Sequence, residues 1–315
     1  MRTWLSGLMA CLAFVLGACA SATFQQSERG TQHPLAGRIY RVADGTEVTL
    51  ATLIADAKQA DFVLIGERHD NREHHQLQSM LVAALQSQGQ SPRAVAFEMI
   101  PAPRQLEIVE YLDAGGDPSG LGAALGWQAS GWPEWAWYEP IAEATLMHDG
   151  QIVAADLSRS EKRAAFVQGE RAFRSSFVRR TGLGEAWPPP MMVALQDELR
   201  AAHCGRPPGQ VVIGMMRVQR ARDAMMADRL AATAGKGGGI LIAGNEHVRN
   251  DRGVPWYLAR LRPGARSVSI GLLEVRDDVL EPAPDLPYDY VWFTPRADHS
   301  VDACEANGAA LQRLL

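Results

Sequence analysis

Short apolar runs alternate with helical patterns along most of the chain. The runs are rich in Val, Ile and Phe, and they predict strands at residues 62–66, 94–97, 151–155, 240–243, 267–272 and 290–293. Helical periodicity lies between them, at residues 50–58, 73–86, 103–113, 140–149 and 255–261. Because near-continuous apolar strands are buried on both faces, the pattern predicts an α/β fold, with a mostly parallel sheet and helices on both faces.

Between residues 158 and 230 the pattern becomes purely helical. Ser158 with Glu161 has the spacing of a helix N-cap and its capping partner, and residues 215–230 predict one long amphipathic helix. We therefore expect a small helical subdomain (158–230) inserted into an α/β domain formed by residues 33–157 and 231–315. Such an insert could close over a site at the edge of the sheet.

The N-terminal residues 1–18 predict a secretory signal peptide, with a basic Arg2 followed by an apolar run at 8–16. That run is too short to span a bilayer. It ends in Leu-Gly-Ala followed by Cys19, a pattern typical of lipidation, and polar residues 19–32 predict a lipidated tether. We expect a lipid-anchored protein of the cell envelope. An aspartate directly after the lipidated cysteine retains lipoproteins in the inner membrane of many double-membraned bacteria, but position 20 is alanine. The expected destination is therefore the outer membrane, if the organism has one.

Composition indicates which partners to expect and which roles the cysteines and methionines have. A formal net charge of −5 without a basic stripe argues against a nucleic-acid partner. Cys204 and Cys304 remain after the signal, and an exported protein with two such cysteines favours a disulfide over free thiols. The paired methionines at 191–192, 215–216 and 225–226 fit core packing better than metal coordination.

Ionisable side chains follow four of the predicted strands: Glu67 with His69, Glu98, Asp156 and His247. The carboxyl ends of parallel strands meet at one edge of a sheet, where ligands bind. Two of these ends repeat a GxxH pattern, at 66–69 and 244–247. Glycine permits a sharp turn off the strand, so the two turns are expected to face each other across a cleft.

This cluster has a functional and a structural interpretation. Imidazoles oriented by carboxylates predict a general acid–base site or a metal site. The alternative is that polar strand ends cap helices, which we favour for Asp156, whereas a site is favoured for Glu67, His69 and Glu98. His74 and His75 fit solvated or packing residues better than ligands, and the 222–223 pair is expected on the polar face of its helix.

An aromatic run occupies residues 127–138, with four tryptophans and Tyr138. It fits a hydrophobic plug beneath a loop, or a face for a large planar ligand with the phenolate oxygen of Tyr138 available. From the run alone, the plug is favoured.

Several separated blocks together resemble the ChaN family of iron-regulated haem-binding lipoproteins. The superfamily shares the paired GxxH pattern with the Tiki proteases and erythromycin esterases. The blocks are Cys19, residues 33–37, GERHDNREHHQLQ (66–78), FEM (97–99), WPEWAWYEP (132–140), QRARDAMMA (219–227) and AGNEHVRNDRGVP (243–255). They agree in order over nearly the whole mature chain. At position 246 this chain has glutamate, where many relatives have glycine.

The resemblance implies an α/β fold with a small helical subdomain, and a homodimer that sandwiches two stacked haems with tyrosine oxygen on the iron. It points to Tyr138 as the iron ligand, with Trp135 and Trp137 beside it and Tyr111 as the alternative. From the enzymes of the superfamily, it implies that a second set of residues activates water or holds a metal: Glu67, His69, Glu98 and His247.

Two functions are therefore open at the level of sequence. The resemblance favours a membrane-anchored lipoprotein that binds haem and assists haem and iron uptake. Residue chemistry alone favours a hydrolase that uses the paired GxxH site, with or without a divalent metal.

Overall fold

The computed structural model describes residues 29–86, 93–205 and 207–297. They form an eight-stranded sheet in the order β2-β1-β8-β7-β3-β6-β4-β5. The pairings from β8 to β5 are parallel, whereas β1 pairs antiparallel with both β2 and β8. The strands are β1 (Ile39–Arg41), β2 (Thr46–Val48), β3 (Phe62–Glu67), β4 (Ala94–Pro101), β5 (Gln151–Asp156), β6 (Gly239–Gly244), β7 (Ser267–Glu274) and β8 (Tyr290–Thr294).

Helices cover both faces of this sheet, because alternate strand residues point into two separate apolar clusters. One face packs against α1 (Leu50–Ala57), α2 (Arg72–Leu85), α3 (Gln105–Asp113), α4 (Pro118–Ala124) and α5 (Trp135–Leu146). The other packs against α6 (Arg159–Gln168), α7 (Ser175–Thr181), α8 (Pro189–Ala202), α9 (Gly209–Thr233) and α10 (Val254–Leu261). The α/β fold with a mostly parallel, doubly covered sheet is confirmed.

The six predicted strands are present, each within two residues at its start and four at its end. The edge pair β1 and β2 and the short helix α4 were not predicted. Helix α5 begins at Trp135 rather than at Pro140, so the proline lies inside the helix. The Ser158–Glu161 capping box at the start of α6 is confirmed.

The segment from α6 to α9 is helical, as predicted, and α9 extends the expected helix at both ends. Buried residues of α9, including Ala224, Ala227 and Leu230, pack into the same apolar cluster as the strands. The longest helix of the segment therefore lies directly on the sheet. The division into an α/β domain and a helical subdomain stays a prediction.

Several predictions concern residues outside the described part of the chain, namely the signal peptide, Cys19, most of the tether and Cys304. Cys204 is disulfide-bonded, but its pairing with Cys304 stays a prediction. In the described residues, no helix combines the length and the apolar character needed to cross a membrane. Met216 and Met226 are buried in the core, which agrees with their predicted packing role.

Candidate functional site

The two GxxH turns leave neighbouring strands at the same level, because Glu67 at the end of β3 pairs in register with Gly244 at the end of β6. Both glycines are required by close approach. A Cβ on Gly66 would collide with the side chain of Asn245, and one on Gly244 would lie 3.0 Å from His69 Nε2. The repeated glycine therefore lets the two turns pack against each other, and this close approach, rather than the predicted sharp turn, is what requires glycine, because neither residue has a positive φ.

The first turn builds a buried carboxylate with three partners. His69 Nδ1 lies 2.6 Å from Glu67 Oε1, and the Tyr138 hydroxyl donates to the same oxygen at 3.1 Å. His75 Nδ1 is 3.2 Å from Glu67 Oε2. Burial raises the pKa of Glu67, but the imidazoles of His75 and His69 outweigh it and hold that pKa well below its usual range. Glu67 is therefore a fixed anion that orients His69.

The second turn builds a matching pair on the other side. His247 Nδ1 lies 2.5 Å from Asp223 Oδ1, and both side chains are buried. Burial lowers the pKa of His247, but the carboxylates of Glu98 and Asp223 outweigh it and raise that pKa to about 9. At neutral pH the imidazole therefore carries a proton on each nitrogen.

Glu98 lies between the two imidazoles. Its Oε1 is 3.8 Å from His69 Nε2 and 3.4 Å from His247 Nε2. The backbone N–H of Gly244 donates to Oε2 at 2.6 Å. Although burial raises the pKa of Glu98, His247, Arg222 and His69 hold it well below the usual value. Three strands thus bring Glu67, Glu98 and the histidines of both turns together, as predicted.

Arg222 connects this centre to Asp156 at the end of β5. Its guanidinium donates to Glu98 Oε1 at 2.6 Å and to both carboxylate oxygens of Asp156 at 2.9 and 3.0 Å. Lys162 Nζ lies 2.5 Å from Asp156 Oδ2. The cap of α6 is Ser158, so the expectation that Asp156 caps a helix is wrong. Asp156 instead balances the charge of Arg222.

A cleft of about 990 Å³ opens over these strand ends. His69 is the half-open member of the centre, with 35 % of its side chain exposed, and it lines the cleft. No described residue forms a hydrogen bond with its Nε2. Trp132 packs edge-on against the His69 ring, with 4.6 Å between ring centroids. His203, after α8, also lines the cleft.

Apart from Trp132, which lines the cleft, the aromatic run packs beneath the site. Tyr138 has no exposed surface, and burial together with Glu67 raises its pKa well above the usual value. Trp135 donates its indole N–H to the backbone oxygen of Pro118 and packs edge-on against Trp127. Trp137 lies against His75, at 5.6 Å between ring centroids. None of the three predicted haem contacts, Tyr138, Trp135 and Trp137, lines the cleft, and neither does the alternative Tyr111.

Among the described residues, no group of three or more histidine, cysteine, aspartate or glutamate side chains is arranged to hold a metal ion. The centre is instead made of paired opposite charges.

A family model described as haem-binding uptake, Tiki superfamily, ChaN matches residues 53–258, which contain both GxxH turns, Glu98 and Arg222. The chain belongs to the ChaN family.

One solved structure supports this fold, and two others match it only weakly. The structure of ChaN from Campylobacter jejuni, described as binding haem cofacially, has a TM-score of 0.65 and 22 % identity, over 81 % of this chain and 95 % of that one. A type III effector matches at a TM-score of 0.43 and 14 % identity, over 83 % and 98 % of the two chains. An erythromycin esterase mutant in its open conformation matches at 0.40 and 14 %, over 80 % and 81 %. No curated protein shows significant sequence similarity.

Two residues of this site were missed from the sequence. Arg222 and Asp223 were expected on a polar helix face, yet they point into the centre. A signal for Asp223 exists, because it lies seven residues from both Met216 and Leu230 on the buried stripe of α9. His74 and His75 were expected to be solvated or packing residues, and both are buried. His75 lies against Glu67, and burial is the main reason that the pKa of His74 is lowered to about 3.

The raised pKa of His247 predicts how stability depends on pH. Folding stabilises the protonated form of His247. Its contribution to the free energy of unfolding is therefore complete below about pH 6.5, and it is lost as the pH rises through the folded-state pKa of about 9. At ~1.4 kcal/mol per pKa unit, the loss is roughly 3 kcal/mol. We expect the urea unfolding free energy to fall over this interval, and to fall less in His247→Gln. Parallel pH profiles for the two proteins would contradict the charged assignment.

Proposed function

We propose that this chain binds haem in the cleft over the strand ends, between the two GxxH turns. One observation carries the proposal within the haem-binding family: His69, whose Nδ1 is fixed by a carboxylate, is half-exposed and lines a large cleft. Glu67 holds His69 at Nδ1, and Nε2 lies 3.8 Å from Glu98 Oε1, too far for a hydrogen bond, so Nε2 makes no hydrogen bond with the described residues.

The residues present fit this ligand. Histidines that bind metals usually donate their other ring N–H to a carboxylate or carbonyl, which fixes the tautomer, and Glu67 is placed to accept from His69 Nδ1 in this way. The cleft volume of about 990 Å³ lies at the upper end of the range for small-molecule sites, ~300–1000 Å³. Trp132 and Pro133 supply apolar surface beside the histidine.

We assign iron coordination to His69 rather than to Tyr138. The Tyr138 hydroxyl is buried and donates to Glu67, so it would have to leave that carboxylate to reach a ligand in the cleft. In this arrangement Tyr138 helps to hold Glu67, and Glu67 holds His69.

A pair of matched variants tests the location. Ala202 and Ala201 are both exposed at the end of α8, but Ala202 lines the cleft and Ala201 does not. Titration of the wild type with haem should give a Soret band, and Ala202→Trp should weaken binding by about tenfold, ~1.4 kcal/mol, while Ala201→Trp does not. Equal affinities for the two variants, or no Soret band with the wild type, would contradict the proposal.

The anchoring, location and oligomeric state that the sequence predicts are part of the proposal. We propose that lipid on Cys19 holds the protein on a membrane of the cell envelope, where it assists haem uptake, and that it forms a homodimer. We expect the wild-type protein to be recovered in the membrane fraction and Cys19→Ser to be recovered in the soluble fraction. A wild-type protein recovered entirely in the soluble fraction would contradict it.

A hydrolase is the second candidate, because two histidine–carboxylate pairs face one carboxylate oxygen. His247 would donate a proton and His69 would activate water, which are the roles that a general acid and base require. A screen of ester and peptide substrates tests it, with His247→Gln as the inactive comparison. Turnover that is unchanged in this variant would eliminate the mechanism.

A further inference from the structure

A second cavity lies beside the cleft, and Trp132 lines both. Its volume is about 380 Å³. The floor is apolar, with Met99 and Ile100 from β4 and Trp127 from the aromatic run. Its rim carries three cationic side chains: Arg104, Arg159 and Lys162. No part of the acid–base centre other than Asp156 contributes to this cavity.

The two spaces differ in charge. The cleft is lined by four carboxylates, by two guanidiniums and by the charged imidazole of His247; the other six residues are Glu67, Asp70, Glu98, Glu246, Arg68 and Arg222. The side cavity has three cations against one carboxylate, Asp156, which already accepts two hydrogen bonds from Arg222. The lining of the side cavity is therefore more positive than that of the cleft, and an anionic group is attracted to the side cavity.

The three cations are not equally available. Arg104 is paired with Glu107: its Nε donates to both carboxylate oxygens, and its Nη2 donates to Oε2. Lys162 lies 2.5 Å from Asp156. Arg159 is exposed at the first position of α6, and it has no ion-pair or hydrogen-bond partner within the described ranges. Its guanidinium is free to pair with a ligand.

We propose that the side cavity is the subsite for the carboxylate groups of the ligand whose planar body occupies the cleft, with Arg159 as the principal contact. The inference rests on the proposed haem function, and it places the two haem propionates beside Arg159 while the ring borders Trp132. A guanidinium suits this role because its planar donors match a carboxylate.

Esterified haem separates this inference from haem binding itself. We would titrate the full mature chain, in detergent, with iron protoporphyrin IX and with its dimethyl ester, for the wild type, Arg159→Gln and Arg163→Gln. Arg163 is an exposed arginine of the same helix that does not line the cavity, so it controls for net charge. Thermal unfolding of each variant verifies that the fold is retained.

The wild type should bind the diacid about fivefold more tightly than the ester, Arg159→Gln should abolish that preference, and Arg163→Gln should retain it. Equal binding of diacid and ester by the wild type, or equal losses in the two variants, would overturn the subsite while leaving the haem proposal standing. A wild type that binds neither form would overturn the haem proposal and this inference with it.

Discussion

Arg222→Met is expected to lower the free energy of unfolding by about 3–5 kcal/mol, because it leaves buried carboxylates without their shared cation. Glu98 and Asp156 are each about 1 % exposed, and Arg222 bridges them with 15 % of its side chain exposed. Methionine preserves much of the volume but none of the charge. Partial protonation of the two acids would offset some of the loss.

Arg217→Met on the same helix is the matched control. Arg217 is exposed and donates to the backbone oxygens of Phe166 and Val167, so its loss should cost less than about 1 kcal/mol. Chemical denaturation of the two variants measures the difference. If Arg222→Met unfolds at the same denaturant concentration as Arg217→Met, the charge network does not stabilise the site.

The second large effect is expected on haem binding. His69→Ala should weaken it by more than about 100-fold, because removal of residues behind a metal ligand already costs ~10- to 100-fold. Tyr138→Phe should remain within about tenfold of the wild type, since it removes one of three partners of Glu67 and no ligand. His148→Ala controls for histidine loss, since His148 follows α5 and does not line the cleft.

The same assignment predicts the sign of a pH effect. Burial lowers the pKa of His69, but Glu98 and Glu67 outweigh it and raise the pKa above the ordinary value. A proton on Nε2 competes with iron, so haem affinity should rise with pH through that pKa. Affinity that is lost in Tyr138→Phe and retained in His69→Ala would reverse the assignment of the two residues.

The position of the site was predictable, because it follows from topology. Strand periodicity indicated parallel strands, and parallel strands bring their carboxyl ends to one edge, so Glu67, Glu98 and the two GxxH histidines could be grouped without coordinates. The three-residue strands β1 and β2 were missed because such short segments carry too little alternation to detect.

The supporting residues were less predictable, because side-chain direction depends on packing between distant elements. The aromatic run suggested a face for a planar ligand, but α5 turns Tyr138 inward, where its ring lies 4.4 Å from that of His75 on α2. Similarly, a pair of charged residues in a helix such as α9 normally indicates a solvent-exposed face. Here Asp223 is buried and Arg222 is mostly buried, and charged partners from β4, β5 and the second GxxH turn stabilise them.

We propose above all that the cleft between the GxxH turns holds the ligand. A crystal structure of the haem complex tests it most directly. We predict iron bonded to His69 Nε2 inside the cleft, with the Tyr138 hydroxyl still donating to Glu67. Haem bonded to Tyr138, or bound on a surface away from Glu67 and His247, would contradict the account.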